Sequence, residues 1–283
     1  MIQSERQDIK QKFDSEQPRW EAIYHKADYD SKGFQWRQEG AVTLCARHVP
    51  PEGRVLDLGC GCGNASMTLA KLGFRVLGVD ISEPMIAQAS DNAARIGVDN
   101  CQFEVYDVVR EHPDAGQFDA VVALGFIEYF DEPILVLRRI HHLLRRNGVA
   151  MVQIWNRRPW SDTALAPMYR SVRAIGHPVD SLKDLAKTIL PKAMVRRLQR
   201  GVPKSPVRTE PSHRRYLPLE LHAMAQEAGF QVIDARASRY FPYHFFFSDE
   251  RRIRWDEQLQ KWAGHRKFAR MGAIDYIAAL KKV

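Results

Sequence analysis

Asp57 and three glycines at alternate positions after it, Gly59, Gly61 and Gly63, spell D-x-G-x-G-x-G. Glycines in a strand-to-helix turn allow positive φ and let a ligand approach bare backbone. The N–H groups that open the following helix attract a carboxylate or a phosphate. Two further acids close apolar runs: Asp80 after Val76-Leu77-Gly78-Val79, and Asp107 after Val105-Tyr106. An Asp at a strand tip beside a switch-point crevice can accept hydrogen bonds from ribose hydroxyls. The dinucleotide fingerprint G-x-G-x-x-G would put the third glycine one residue later, so this spacing argues against a nicotinamide cofactor.

The elements that must position these residues follow in order. Val55 to Leu58 reads as a buried strand, and Asn64 is expected to cap the helix beginning Ala65-Ser66-Met67. A second strand spans 74–80. Ser82 is a more natural cap than Asp80 for the helix Glu83 to Ile96, which Gly97 ends. Strands at 102–106, 118–124 and 149–155 follow, with a helix from Pro133 to Arg146 closed by Asn147-Gly148. Five apolar strands alternating with helices argue an α/β, doubly wound parallel sheet. A helix over 217–229, a sixth strand over 230–235, a helical stretch from Ser248 to Trp262 and a seventh strand over 272–278 complete the pattern.

At 283 residues the chain is long enough for one α/β domain with insertions. Its 45% hydrophobic and 27% charged content is that of a soluble globular protein. No apolar run approaches a membrane span, and the polar start Met1 to Arg6 is no signal peptide, so the cytoplasm is the expected location. Cys60 and Cys62 form a Cys-x-Cys pair, but no second Cys or His pair sits at zinc spacing, and no metal is expected. The formal net charge of +8 is uneven. Residues 138–215 hold 18 Lys and Arg against 4 Asp and Glu, a net +14, which leaves −6 for the rest. So local an imbalance speaks of a partner, not of the fold.

Over about residues 50–156 the order of elements and their end residues resembles the class I S-adenosylmethionine (SAM) dependent methyltransferases. The matching motifs are Asp57 to Gly63, Asp80, Asp107, and Leu124 to Tyr129 after the fourth strand. The helix-Gly229-Phe230-strand passage resembles the tail of that family. The resemblance implies a Rossmann-like sheet of seven strands, six parallel and one antiparallel, with a helical lid insertion. It also implies SAM as cofactor. Loop N–H groups would pass under its methionine moiety, Asp80 would take the ribose hydroxyls, and Asp107 with the Val108 N–H would read the adenine. The expected cofactor set is Asp57, Gly59, Cys60, Gly61, Asn64, Asp80, Ile81, Met85, Asp107, Val108 and Leu124.

The layout resembles, within the family, the ubiquinone-biosynthesis-type O-methyltransferases and related small-molecule enzymes. That group carries an acid-x-x-Glu-His signature after the fourth strand; here Gly125-Phe126-Ile127-Glu128-Tyr129 keeps only Glu128. Methyl transfer from a sulfonium is an in-line displacement in which positioning supplies much of the rate. An oxygen nucleophile also needs its proton removed. Glu128 is the first candidate base, His213 and Tyr129 come next, and His244 follows.

Four regions are expected: an N-terminal helical cap (1–49), the SAM-binding core (50–156), a basic helical lid (157–215), and a C-terminal part of the core (216–283) with an aromatic and helical insertion at 240–270. The polar residues 1–12 read as a frayed helix or an arm. The aromatics Trp20, Tyr24, Tyr29, Phe34 and Trp36 are expected to pack helices on the sheet, the alternative being a cap over a cofactor. Arg37 is expected at the solvated surface; under a cap it would reach a carboxylate. Residues 181–200 form a basic amphipathic pattern that suits either an anionic membrane surface or a solvated cover over the sheet. Three readings stay open. The first is a methyltransferase acting, at oxygen, on a small-molecule or lipid-linked acceptor, amphipathic or anionic. The second is an RNA-modifying methyltransferase, and the third a SAM-binding protein without acceptor chemistry.

Overall fold

A computed structural model describes residues 3–108, 117–159, 214–240, 248–264 and 266–283. Two helices lead, α1 (Gln3–Ile23) and α2 (Tyr29–His48). The alternating part comprises β1 (Arg54–Leu58), α3 (Asn64–Lys71), β2 (Arg75–Asp80), α4 (Glu83–Ile96), β3 (Cys101–Val105), β4 (Phe118–Ala123), α5 (Pro133–Leu143) and β5 (Leu144–Trp155). After residue 213 come α6 (Pro218–Glu227), β6 (Phe230–Ser238), α7 (Asp249–Ala263), the short α8 (Lys267–Arg270) and β7 (Asp275–Lys282). The strands form one sheet in the order β3-β2-β1-β4-β5-β7-β6. β7 pairs antiparallel with both neighbours, and the other ladders are parallel.

Every residue of β4 is buried, as a central strand covered on both faces requires. The two-residue period of the strands divides the core. Leu56, Leu58, Val121, Ala123, Val152 and Ile154 face α5 and α6, whose Leu137, Ile140 and Leu221 meet them. Val55, Val122, Val149 and Met151 face the other way, where Leu44 and Cys45 of α2 and Leu69 of α3 cover them. β1 has β2 on one side and β4 on the other, so the chain's winding reverses there. A crevice opens at the carboxyl ends of the strands at such a reversal.

Several boundaries differ from the sequence reading. Gly63, not Asn64, is the N-cap of α3, at φ 82°, and Asn64 is the first helical residue, with no side-chain bond from the cap. The left-handed conformation at that corner favours glycine over a capping amide. Ser82 does cap α4, accepting from the Met85 N–H, and Gly97 ends it left-handed. α5 stops at Leu143, three residues early. Leu144 already pairs with Phe118, and Asn147 (φ 65°) turns the chain inside a register shift. β7 begins at Asp275 and includes Lys281 and Lys282, because its partners β5 and β6 extend that far. α1 is a continuous helix and no frayed arm, packed against α4 through polar pairs such as Gln17–Gln88 (3.2 Å) and Glu21–Asn92 (3.0 Å). Most of the expected lid, including 181–200, and residues 241–247 of the aromatic run lie outside the described residues. Among the described residues no helix is long and apolar enough to cross a membrane.

Candidate active site

The crevice at the β1/β4 reversal is a deep cleft closed from above by α1 and α2. All eleven expected cofactor residues line it, from Asp57 to Leu124, together with Glu128 and Tyr129. His213 and His244 lie outside the described residues.

Its floor is the glycine turn, and each glycine serves there for a different reason. Gly59 and Gly61 are left-handed, at φ 70° and 54°. A Cβ on Gly59 would stand 2.7 Å from the Phe126 ring, whereas one on Gly61 would meet nothing within 4 Å and project into open cleft. At Gly63 a Cβ would strike Phe103 at 2.8 Å. The turn is braced by two acids. Asp57, buried in β1, accepts from the Ser66 hydroxyl at 2.6 Å, tying the strand to α3 across the turn. Burial pushes its carboxyl up to about 6, against the lowering effect of the Ser66 bond. Asp80 accepts from the Gly61 N–H and from the Ser82 N–H, both at 3.0 Å. Burial raises its pKa, and those N–H donors oppose the rise. Cys62 lies 3.5 Å from the Met85 sulfur, and burial holds its thiol up at about 12, so it stays protonated.

One side of the cleft is aromatic. Trp20 meets Phe34 edge-on (centroids 5.4 Å apart), Phe13 meets Tyr129 edge-on (5.3 Å), and Phe126 leans on Phe130 (5.1 Å). The Lys12 ammonium stands over the Phe13 and Tyr129 rings at 5.7 and 5.6 Å. The aromatics of the N-terminal region thus divide. Tyr29 and Trp36 are buried in packing, while Trp20, Tyr24 and Phe34 line the cleft, as the cap alternative requires.

Two charged groups sit beneath these rings. Arg37, expected at the surface, is only 7% exposed. Its position on α2 points it at the sheet, where its Nη1 donates to the Gln153 amide oxygen at 3.4 Å and its guanidinium lies 4.7 Å from the Phe34 ring. Its Nε is buried without a hydrogen-bond partner among the described residues. Glu128 is 3% exposed, and its Oε2 likewise has none. Burial drives the Glu128 carboxyl up to about 7, with the Arg37 charge opposing. A buried carboxylate so tuned, with a free oxygen on a cleft, is placed to exchange a proton near neutral pH.

The residues fit an adenosyl sulfonium ligand. The Gly61 gap leaves backbone bare where a ligand chain would pass, Asp80 and Asp107 stand at consecutive strand tips, and Arg37 offers a buried guanidinium whose Nε has no hydrogen-bond partner among the described residues. A doubly wound sheet with a glycine turn at its reversal defines the Rossmann-like class of cofactor-binding folds. Residues 55–148 match the family described as methyltransferase domain. The ubiquinone biosynthesis O-methyltransferase of Xanthomonas campestris pv. campestris is 32% identical over 118 residues, covering 41% of this chain and 48% of that protein. Its namesake from Pseudomonas aeruginosa is 35% identical over 108 residues, 38% and 46% of the respective chains. The chain spans about half the length of the curated relatives it matches. Among solved structures, magnesium protoporphyrin IX methyltransferase from Synechocystis PCC 6803, with bound S-adenosylhomocysteine, superposes with a TM-score of 0.63 at 16% identity, covering 98% of this chain and all of that one. At that identity the likeness establishes the fold. Residues 55–148 of this chain thus match a methyltransferase domain, on a Rossmann-like sheet.

Gln153 was missed as a site residue by the sequence reading, in which Arg37, Trp20 and Phe34 entered the site only under the cap alternative. One signal was there to be read. Gln153 is a lone amide in the apolar run of β5, and a polar residue in a buried strand must have partners.

Proposed function

We propose that the chain is a methyltransferase acting at oxygen on a small, aromatic, anionic acceptor. The observation that carries this reading is the buried Glu128 carboxyl, whose Oε2 has no hydrogen-bond partner among the described residues, on the same cleft as the glycine turn. SAM, when bound, supplies an electrophilic methyl group on a sulfonium. The turn from Gly59 to Gly63 and Asn64, with Arg37, holds the methionine part. Asp80 takes the ribose hydroxyls, and Ile81, Met85, Asp107, Val108 and Leu124 hold the adenine. The rings of Phe13, Phe126, Tyr129 and Phe130 sandwich the acceptor, and Lys12, with no ion-pair partner among the described residues, faces its negative group. Glu128 would take the proton from the acceptor hydroxyl, whose oxygen would receive the methyl group that SAM supplies. Residues 1–49 would serve as a cap and 50–156 as the cofactor core. Positioning accounts for most of the rate, and a single general base adds about 10²- to 10⁴-fold.

Calorimetric titration with SAM, S-adenosylhomocysteine and NAD tests the cofactor half. Binding of both adenosyl ligands and not of NAD is expected; binding of NAD alone would overturn it. For the second half, Glu128→Gln should bind S-adenosylhomocysteine as the wild type does and lose the stated factor in methyl transfer. A variant that transfers methyl at full rate would remove Glu128 from the mechanism.

A further inference from the structure

β5 is apolar from Val149 to Trp155 except at Gln153, which is completely buried. Its amide serves three groups. Oε1 accepts from the Gly125 N–H at 2.7 Å and from Arg37 at 3.4 Å, while Nε2 donates to Asp275 Oδ1 at 3.3 Å. Asp275, also fully buried, opens β7 opposite Trp155, and Arg239 grips it from the end of β6, with Nη2 3.0 Å from Oδ1 and Nε on Oδ2. Arg239 itself sits in the left-handed region at φ 54°. It lies against α2 where Gly33 leaves room, since a Cβ there would be 2.3 Å from the Arg239 Cδ. Gly33 and Arg37 are four residues apart, hence on one face of the helix.

We infer that Asp275, Gln153 and Arg239 are positioning residues that hold Arg37 open for the carboxylate of the bound adenosyl ligand. An amide has one acceptor end and one donor end. Asp275 can only accept, so it fixes the Gln153 amide with its oxygen toward the cleft. Turned over, the amide would set N–H against the Gly125 N–H and against Arg37. Arg239 in turn occupies Asp275, which keeps that carboxylate from pairing with Arg37. The consequence is a buried guanidinium that has a neutral anchor, a free Nε–H and, among the described residues, no ion-pair partner. The charges of Asp275 and Glu128 act on it without pairing directly, and a ligand carboxylate that reached the free Nε–H would complete its hydrogen bonds.

The inference rests on the cofactor reading above, and the test separates the two. Dissociation constants are measured for S-adenosylhomocysteine and for 5′-methylthioadenosine, which lacks the amino-acid group, with near-ultraviolet circular dichroism as the control for folding. Arg37→Met should weaken S-adenosylhomocysteine about 10- to 100-fold and methylthioadenosine less than about 2-fold. Gln153→Met should show the same selective loss at about 3- to 10-fold. Gln153→Glu keeps an acceptor toward Gly125 and Arg37, loses the donor to Asp275 and gives Arg37 an internal anion, and should lose at least as much even if the Met variant does not fold. Selective loss in Arg37→Met with none in a folded Gln153 variant overturns the positioning role. Equal loss of both ligands in the Gln153 variants marks a structural residue and overturns it too. No change in Arg37→Met overturns the assignment of Arg37 and the relay with it, and a wild type that binds neither ligand overturns the cofactor reading itself.

Discussion

Glu128 carries opposite consequences for activity and for stability. Its carboxyl titrates at about 7 in the folded protein, raised from an ordinary 4.5 by burial. The base must be ionised, so methyl transfer should rise with pH through a midpoint near 7. Folding goes the other way. Below about pH 4.5 the group is protonated in both states and costs nothing. As pH climbs from there to about 7, the unfolded chain releases its proton and the folded one does not, so stability falls. Above 7 the full penalty is in place, of the order of 3 kcal/mol. Glu128→Gln should therefore unfold at a higher urea concentration than wild type at pH 8 and at the same concentration near pH 4. A variant no more stable at pH 8 would mean that the carboxyl is solvated. Gly61 gives a second contrast. Its Cβ direction opens on the cleft, so Gly61→Arg, at a cost of about 1–2 kcal/mol for a side chain at that left-handed φ, should fold and fail to bind S-adenosylhomocysteine. Gly63→Ala, striking Phe103, should lose stability by urea denaturation. Full binding by folded Gly61→Arg would put the ligand elsewhere.

α2 sets the depth of the site, because its glycines let it approach the sheet. Gly33 accommodates Arg239, and Gly40, two turns on, leaves 2.9 Å between a notional Cβ and the Ile277 methyl. In an exposed helix interior, Gly→Ala gains up to about 1 kcal/mol. Overpacking costs about 1–3 kcal/mol. At Gly33 the space is too short for a methyl, so overpacking wins. Gly33→Ala should lower the urea midpoint and weaken S-adenosylhomocysteine by displacing Arg239; a stabilised variant would show that α2 can shift outward. The strands of the cofactor half were legible because each pairs an apolar run with an acid or glycine at its tip. Val76 to Asp80 is one example. α1 was not legible, since its polar sequence offers no apolar stripe, and its partners on α4 are amides and acids from far along the chain. Arg37 was misread for a similar reason. Arginine is mostly exposed, and only the third dimension brings Gln153 beneath it. Asn64 shows the converse, where a good capping residue loses its place to a backbone angle that only glycine adopts easily.

The charge of the whole molecule bears on the acceptor. The sequence carries a net +14 within 138–215 against −6 elsewhere, and a polyanion would be drawn to the basic part. The cleft argues for a smaller anion. Its aromatic side carries one half-buried cation, Lys12, above the Phe13 and Tyr129 rings. The two alternatives differ sharply in salt dependence. A nucleic-acid substrate held by about 6–10 phosphate contacts would lose about 10³- to 10⁵-fold in affinity between about 50 and 200 mM salt. A monoanion meeting a single lysine at a partly desolvated site should lose less than about 3-fold. Equilibrium binding of 6-hydroxy-2-naphthoate and of 2-naphthol, which differ by one carboxylate, is expected to show the acid bound more tightly with the weak salt response. Lys12→Ala should reduce that preference, and Lys12→Arg should keep it. If neither naphthol binds while a mixed RNA pool binds with a steep salt slope, the basic segment and not the aromatic cleft selects the acceptor, and the small-molecule assignment falls with it.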